Sequence, residues 1–203
     1  YNMDKLSGMV LLVRGVLFGT FAVEGVGAAL YAIQFIPEYG VVKGIWYSIF
    51  HAVSAFCNAG IDILGDSSLT AYVTNPIVNL TTMILIILSG LGFTVWFDII
   101  ANGKKLIRRE MPRRWWFTRL KLQSKLAIIM TILLIISGAV FVFLAEYDNP
   151  ETLGNLSLGN KVMASFFQSV TNRTAGFATI SQNALHTESK LFHCILMFIG
   201  GSP

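Results

Sequence analysis

Charge is scarce in this sequence. Only 13% of its 203 residues are Asp, Glu, Lys or Arg, where a soluble domain carries about 25%. With 54% of residues hydrophobic, the chain cannot cover a water-facing surface, and an ordinary soluble domain is excluded. Cysteine is nearly absent. Cys57 and Cys194 fall in different apolar segments and cannot form a disulfide scaffold. His51, His186 and His193 show no metal-ligand spacing. No Walker loop, catalytic triad or paired carboxylate stands in a workable frame, so the pattern does not support an enzyme. The 12% aromatic content excludes a disordered chain. What is left is an all-α integral membrane protein.

Long uncharged runs are what the sequence does have. A spanning helix needs about 20 mostly apolar residues. Ile77–Phe97 and Leu126–Ala145 meet that without a charge. Val10–Phe35 is long enough but holds Arg14 and Glu24. Arg14 can snorkel to the headgroups, whereas Glu24 lies near the middle and must face protein or water. There it is read either as a buried partner of a polar group or as a coupling-ion site. A last apolar run, Leu191–Pro203, is too short to span. Since the chain also opens on Tyr1, it is expected to be a piece of a longer polypeptide.

The net charge of +4 is concentrated. Lys104, Lys105, Arg108, Arg109, Arg113, Arg114, Arg119, Lys121 and Lys125 stand beside one acid, Glu110, giving that stretch +8 and the remainder −4. Basic residues close to helix ends stay cytoplasmic, so residues 102–125 are expected to be a basic cytoplasmic loop, with Trp115 and Trp116 at the headgroup level. The loop has no interleaved base-reading motif, and no nucleic-acid partner is expected. It separates two units, 1–101 and 126–203. Membrane lipid is the implied surrounding, in a multi-pass plasma-membrane protein.

The connections on the other side are too apolar for surface loops. Gly44–Cys57 is an uncharged stretch of 14 residues, about 20 Å long as a helix, enough to reach mid-membrane but not to cross. Asn58-Ala59-Gly60-Ile61 follows it. The second connection repeats the plan: a short apolar helix over Lys161–Asn172, then Arg173-Thr174-Ala175-Gly176-Phe177. A shift of 116 positions superposes Phe50 on Phe166, Ala59 on Ala175 and Gly60 on Gly176, with Ile61 on Phe177, which indicates an internal repeat.

Non-helical backbone at membrane depth survives only where protein encloses it or water lines it. Its carbonyl oxygens can then replace the hydration shell of a cation. A half-helix entering from outside also aims its negative C-terminal end at that cation. Such a pattern fits a cation-selective pore. Two alternatives are a sodium-coupled carrier of a small solute, which also uses broken helices, and a non-transporting structural or sensor subunit. Asp62, Asp66, Asp148, Glu151 and Glu146 are expected near the outer face, either drawing cations to the mouth or forming a solvated rim.

At Cys57-Asn58-Ala59-Gly60-Ile61, at Asn172-Arg173-Thr174-Ala175-Gly176-Phe177 and at the ending Gly200-Gly201-Ser202-Pro203, the sequence resembles the Trk/Ktr/HKT superfamily of potassium transporters. Within it, the chain looks most like the bacterial Ktr potassium-uptake membrane subunit. The resemblance implies a potassium-channel-like fold of four helix–pore loop–helix units, of which this chain holds two that look like the second and third. It implies that Asn58, Ala59, Gly60, Thr174, Ala175 and Gly176 lend backbone carbonyls to a potassium filter. Cys57, Ile61, Asn172, Arg173 and Phe177 would support that filter. Arg173 cannot be a cation ligand: its guanidinium either ties the loop from behind or lowers ion affinity. Gly200 and Gly201 would open a gate in the third unit's second helix. The resemblance further implies potassium and sodium ions, a homodimer and a cytoplasmic ring of nucleotide-binding regulatory subunits.

Overall fold

A computed structural model describes residues 3–65, 67–108, 112, 116–173 and 175–200, with side chains from Met9 onward. Asp66, Arg109, Glu110, Arg113, Arg114, Trp115, Thr174, Gly201, Ser202 and Pro203, all singled out above, lie outside the described residues. Every regular element among the described residues is helical.

Helix α1 (Met3–Tyr39) contains an apolar stretch of 31 residues, Met9–Tyr39, about 46 Å long and ample for a tilted span. It carries on past Phe35, with Pro37 in its final turn, until Gly40 at φ +80° ends it. Helix α2 (Val41–Phe56) starts at once and folds back along α1. Gly44 permits that close return, since a Cβ there would lie 2.6 Å from Ile36 Cα and 2.7 Å from Phe35 O. The wall between these helices is aromatic. Tyr31 and Phe35 are fully buried and stacked at 5.5 Å, and His51 of α2 meets Phe35 edge-on at 5.4 Å.

Helix α3 (Pro76–Gly90) has strong starting signals. Asn75 Oδ1 accepts from Ile77 N (3.0 Å) and Val78 N (3.2 Å), and Pro76 needs no donor of its own. The expected single span Ile77–Phe97 is corrected at its far end. The chain bends by 97° into α4 (Phe93–Ile107). Gly92 takes φ +78° at the elbow, and Trp96 Nε1 donates to Leu88 O at 2.7 Å, taking up a carbonyl orphaned by the helix end. Helix α3 alone has 15 residues, about 22 Å, less than the bilayer core of about 30 Å.

The expected loop 102–125 is likewise corrected in part, because α4 runs on to Ile107. Lys104 and Lys105 occupy its last turn, where cations suit the helix dipole. Asp98 fastens this helix to the next unit: Oδ2 accepts from Lys121 N at 2.8 Å, while Asn102 Nδ2 donates to Oδ1 at 3.0 Å. After the short α5 (Trp116–Arg119), α6 (Leu122–Glu146) supplies a 25-residue apolar span over the expected Leu126–Ala145.

Helix α7 (Leu158–Thr171) returns along α6, and α8 (Thr187–Ile199) packs beside it. Ser169 Oγ donates to Ile135 O at 2.8 Å, and Gly138 opposite leaves the room it needs. Phe141 and Phe192 stack at 4.1 Å. Glu146 departs from the expected rim role. It is fully buried and accepts from Asn149 Nδ2 (2.7 Å), Thr152 Oγ1 (2.8 Å) and His186 N (2.9 Å), pinning the start of α8 to the end of α6. Asp148 and Glu151 are exposed and Asp62 is half-buried.

A candidate cation pathway where two loops meet

Helices α2 and α7 occupy the two stretches read from the sequence as half-helices. They cover 16 and 14 residues, close to the stretches read from the sequence, and each ends just before its Ala-Gly pair. Cys57 caps the first and Asn172 the second. Both loops then leave helical geometry through residues in left-handed conformation: Asn58 (φ +50°) and Gly60 (φ +64°) in the first, Gly176 (φ +93°) in the second. A non-glycine residue at such an angle is strained. Asn58 is tied there by Ser89 Oγ, which donates to its Oδ1 at 3.1 Å.

The two loops touch. A Cβ built on Gly60 would run into the Ala175 carbonyl oxygen and lie 2.8 Å from Gly176 Cα. No residue but glycine fits at position 60 without displacing the other loop's backbone. Beyond the contact the loops stay paired: Leu69 N donates to Ala178 O (2.9 Å), and Ala178 N donates to Ser68 Oγ (3.2 Å).

Burial divides the loop residues. Ala175 and Phe177 are buried at 2% and 1% exposure, as are Asn172 and Arg173, whose Nη2 donates to Thr131 Oγ1 of α6 at 3.2 Å. Ala59 and Gly176 are exposed, Gly60 is half-buried, and Ile61 leaves 59% of its surface open. Phe177 joins the buried cluster that holds Tyr31, Phe35 and Ala52, its ring centroid 6.4 Å from that of His51. Gly200 at φ +80° ends α8, and a Cβ there would come no nearer than 4.0 Å to Met197 O. The structure therefore brings residues 58–61 and 175–177 together, and puts Gly200 at a separate helix end.

Two cavities border the loops. One, of about 400 Å³, is bordered by Thr20 of α1, by Cys57 and Asn58 where the first loop begins, and by Ser89, Gly92 and Trp96 at the elbow. The other, of about 580 Å³, is bordered by Ser67, Ser68, Glu151, Thr179 and Gln182 where both loops leave. Gln168 and Gln182 exchange hydrogen bonds of 2.8 and 3.1 Å on that side. Glu24 of α1 is buried, at 9% exposure. Tyr39 and Tyr72 share a hydroxyl hydrogen bond of 2.9 Å. Burial and that bond push the Tyr72 hydroxyl's pKa up, so it stays neutral.

A family model described as "TrkH: Cation transport protein" matches residues 3–203. This chain belongs to the TrkH family. "Ktr system potassium uptake protein B" of Bacillus subtilis is 37% identical over 199 residues, which is 98% of this chain and 42% of the relative. "Potassium/sodium uptake protein NtpJ" of Enterococcus hirae is 38% identical over 201 residues, 99% of this chain and again 42% of the relative. "Ktr system potassium uptake protein B" of Vibrio alginolyticus is 34% identical over 189 residues, 93% and 39%. The chain thus spans about two fifths of the length of these relatives. Its membrane location follows from the family together with the long apolar helices α1 and α6.

Two residues of this TrkH chain escaped the sequence reading. Ser54 Oγ donates to Ile61 O at 2.6 Å, and Thr171 Oγ1 donates to Phe177 O at 2.7 Å. The only sequence signal is a hydroxyl near the end of each half-helix. The shift of 116 hides it, since Ser54 then falls on Val170.

Proposed function

We propose that this chain forms two of the four helix–pore loop–helix units of a potassium uptake protein, units 1–101 and 126–203 joined by the basic cytoplasmic segment. Backbone carbonyls of Asn58, Ala59, Gly60, Thr174, Ala175 and Gly176 make half of a selectivity filter. The remaining two strands come from parts of the protein outside this chain. Cys57, Ile61, Asn172, Arg173 and Phe177 support the filter, and Gly200 with Gly201 begins a gate. One observation carries the reading: two half-helices from separate units end at a point where their following loops touch through Gly60 and Ala175-Gly176. Extended backbone held at the C-terminal ends of two helices, in an all-helical membrane chain, is chemistry suited to a dehydrated cation.

The names of the relatives support potassium as the ion, and one of them adds sodium. A sodium-dependent uptake is the corresponding proposal here, with Glu24, a buried carboxylate near the middle of α1, as a candidate coupling-ion site. The "Ktr system" wording supports a protein that works with further subunits. The proposed assembly is a homodimer docked through its basic face on a cytoplasmic nucleotide-binding ring.

The test is growth rescue at low potassium, in cells lacking potassium uptake, with the complete protein carrying Gly176→Ser or Gly176→Asp. Both variants are expected to lose potassium-over-sodium preference at normal membrane abundance. Unchanged uptake and preference would remove the filter assignment.

A further inference from the structure

Each half-helix ends in a residue that holds its loop twice. Ser54 O accepts from Ala59 N at 2.9 Å, and the same residue's Oγ donates to Ile61 O at 2.6 Å. Thr171 O accepts from Ala175 N at 2.9 Å and from Gly176 N at 3.3 Å, and its Oγ1 donates to Phe177 O at 2.7 Å. In both loops, one residue therefore binds the alanine that opens the Ala-Gly pair and the carbonyl that follows the glycine. The equivalence is geometric and not positional. Four residues separate Ser54 from Ala59, and three separate Thr171 from Ala175. Two loops of unequal length reach the same clasp.

The clasp has a consequence for the carbonyls. Ile61 O and Phe177 O are turned back toward the half-helices, so the carbonyls left for a cation are those that precede them, the enclosed Ala-Gly pairs included. Both clasping side chains are buried, at 5% and 3% exposure, and water does not compete strongly for these hydroxyls. With the alanine N–H and the post-glycine carbonyl both fixed, the enclosed carbonyls have little room to change spacing. Spacing and number of carbonyls are what a filter uses to tell potassium from sodium. We propose that Ser54 and Thr171 are positioning residues that set potassium-over-sodium preference by clasping Ala59-Gly60 and Ala175-Gly176. This inference rests on the filter reading given above.

The experiment uses the complete protein in cells lacking potassium uptake, with Ser54→Ala, Ser54→Thr, Thr171→Ala, Thr171→Val and Thr171→Ser, and with Gly176→Ser as the check on the filter reading. Membrane abundance, the KM for potassium and the potassium-over-sodium preference are measured. Losing one buried hydroxyl clasp is expected to reduce preference about five- to tenfold, while Ser54→Thr and Thr171→Ser keep it. Where an alanine variant fails to reach the membrane, the shape-conserving Thr171→Val against Thr171→Ser decides, with loss expected only in the former. If preference and KM stay unchanged in Ser54→Ala and Thr171→Val while Gly176→Ser alters them, the clasp is overturned and the filter reading stands. If Gly176→Ser is also without effect, the filter reading falls and the clasp falls with it.

Discussion

Within this chain the first loop is open where the second is closed: Ala59 and Ile61 are exposed, whereas Ala175 and Phe177 are buried. The second loop is gripped by its own unit and its neighbour together: Arg173 reaches Thr131 on α6, and Phe177 fills the core built on α1 and α2. Among the described residues the first loop has fewer fixings, chiefly Ser89 on Asn58, Ser54 on Ile61, and the backbone of the other loop at Gly60. Within this chain the second loop therefore serves as the template against which the first is set. Sequence repetition alone would suggest two interchangeable loops.

This asymmetry makes the two glycines unequal, and the largest expected effect lies there. Gly60→Ala forces a Cβ into the Ala175 carbonyl, while Gly176→Ala meets only Gly60 Cα at an ordinary 3.6 Å. Both substitutions strain a positive φ, at about 1–2 kcal/mol each, but only the first also displaces the partner loop. Potassium uptake by the complete protein should be abolished by Gly60→Ala and merely reduced by Gly176→Ala. Equal losses would dissolve the template picture.

A smaller effect is expected behind the second loop. Thr131→Val removes an acceptor from the buried Arg173 guanidinium. A cost of about 1–3 kcal/mol follows from leaving part of a buried cation less well bonded. It should appear as a lower unfolding midpoint of the purified complete protein in detergent, and a midpoint equal to wild type would mean that the second loop is not held from α6.

The smallest effect sharpens the first loop. Asn58 sits at φ +50°, which glycine adopts without strain and alanine does not. Asn58→Gly should stay within about 1 kcal/mol of wild type, losing a side-chain hydrogen bond but relieving strain, and Asn58→Ala should be the worse of the two by about 1 kcal/mol. Growth rescue across a potassium dilution series would rank them, and the reverse order would show that the positive φ at position 58 is not what penalises alanine.

Much of this arrangement is legible before any coordinates. The uncharged run Gly44–Cys57 announces α2 because its length is too great for a turn and too small for a span. The repeated Ala-Gly pairs mark where backbone leaves the helix. Hydropathy cannot announce the elbow. Ser89-Gly90-Leu91-Gly92 interrupts no apolar run, and the bend depends on one positive φ and on Trp96 folding back to Leu88. Nor does composition separate Glu146 from its acidic neighbours, since its burial comes from Asn149, Thr152 and His186 converging on it. The clasps stay hidden for a related reason. A one-residue difference in loop length breaks the alignment of Ser54 with Thr171, although the bonds they form are equivalent.

Phe177 gives the order of synthesis a structural meaning. Chains are made from the N-terminus, and earlier segments begin to fold before later ones exist. The unit at residues 1–101 then emerges before Phe167, Val170, Ala175 and Phe177, which join its buried cluster once α7 and the second loop have been made. Until that moment the core around Tyr31 and Phe35 lacks the apolar side chains that this later stretch contributes. A ribosome stalled before residue 158 would leave a nascent chain with that core incomplete and its first loop without the backbone it touches at Gly60.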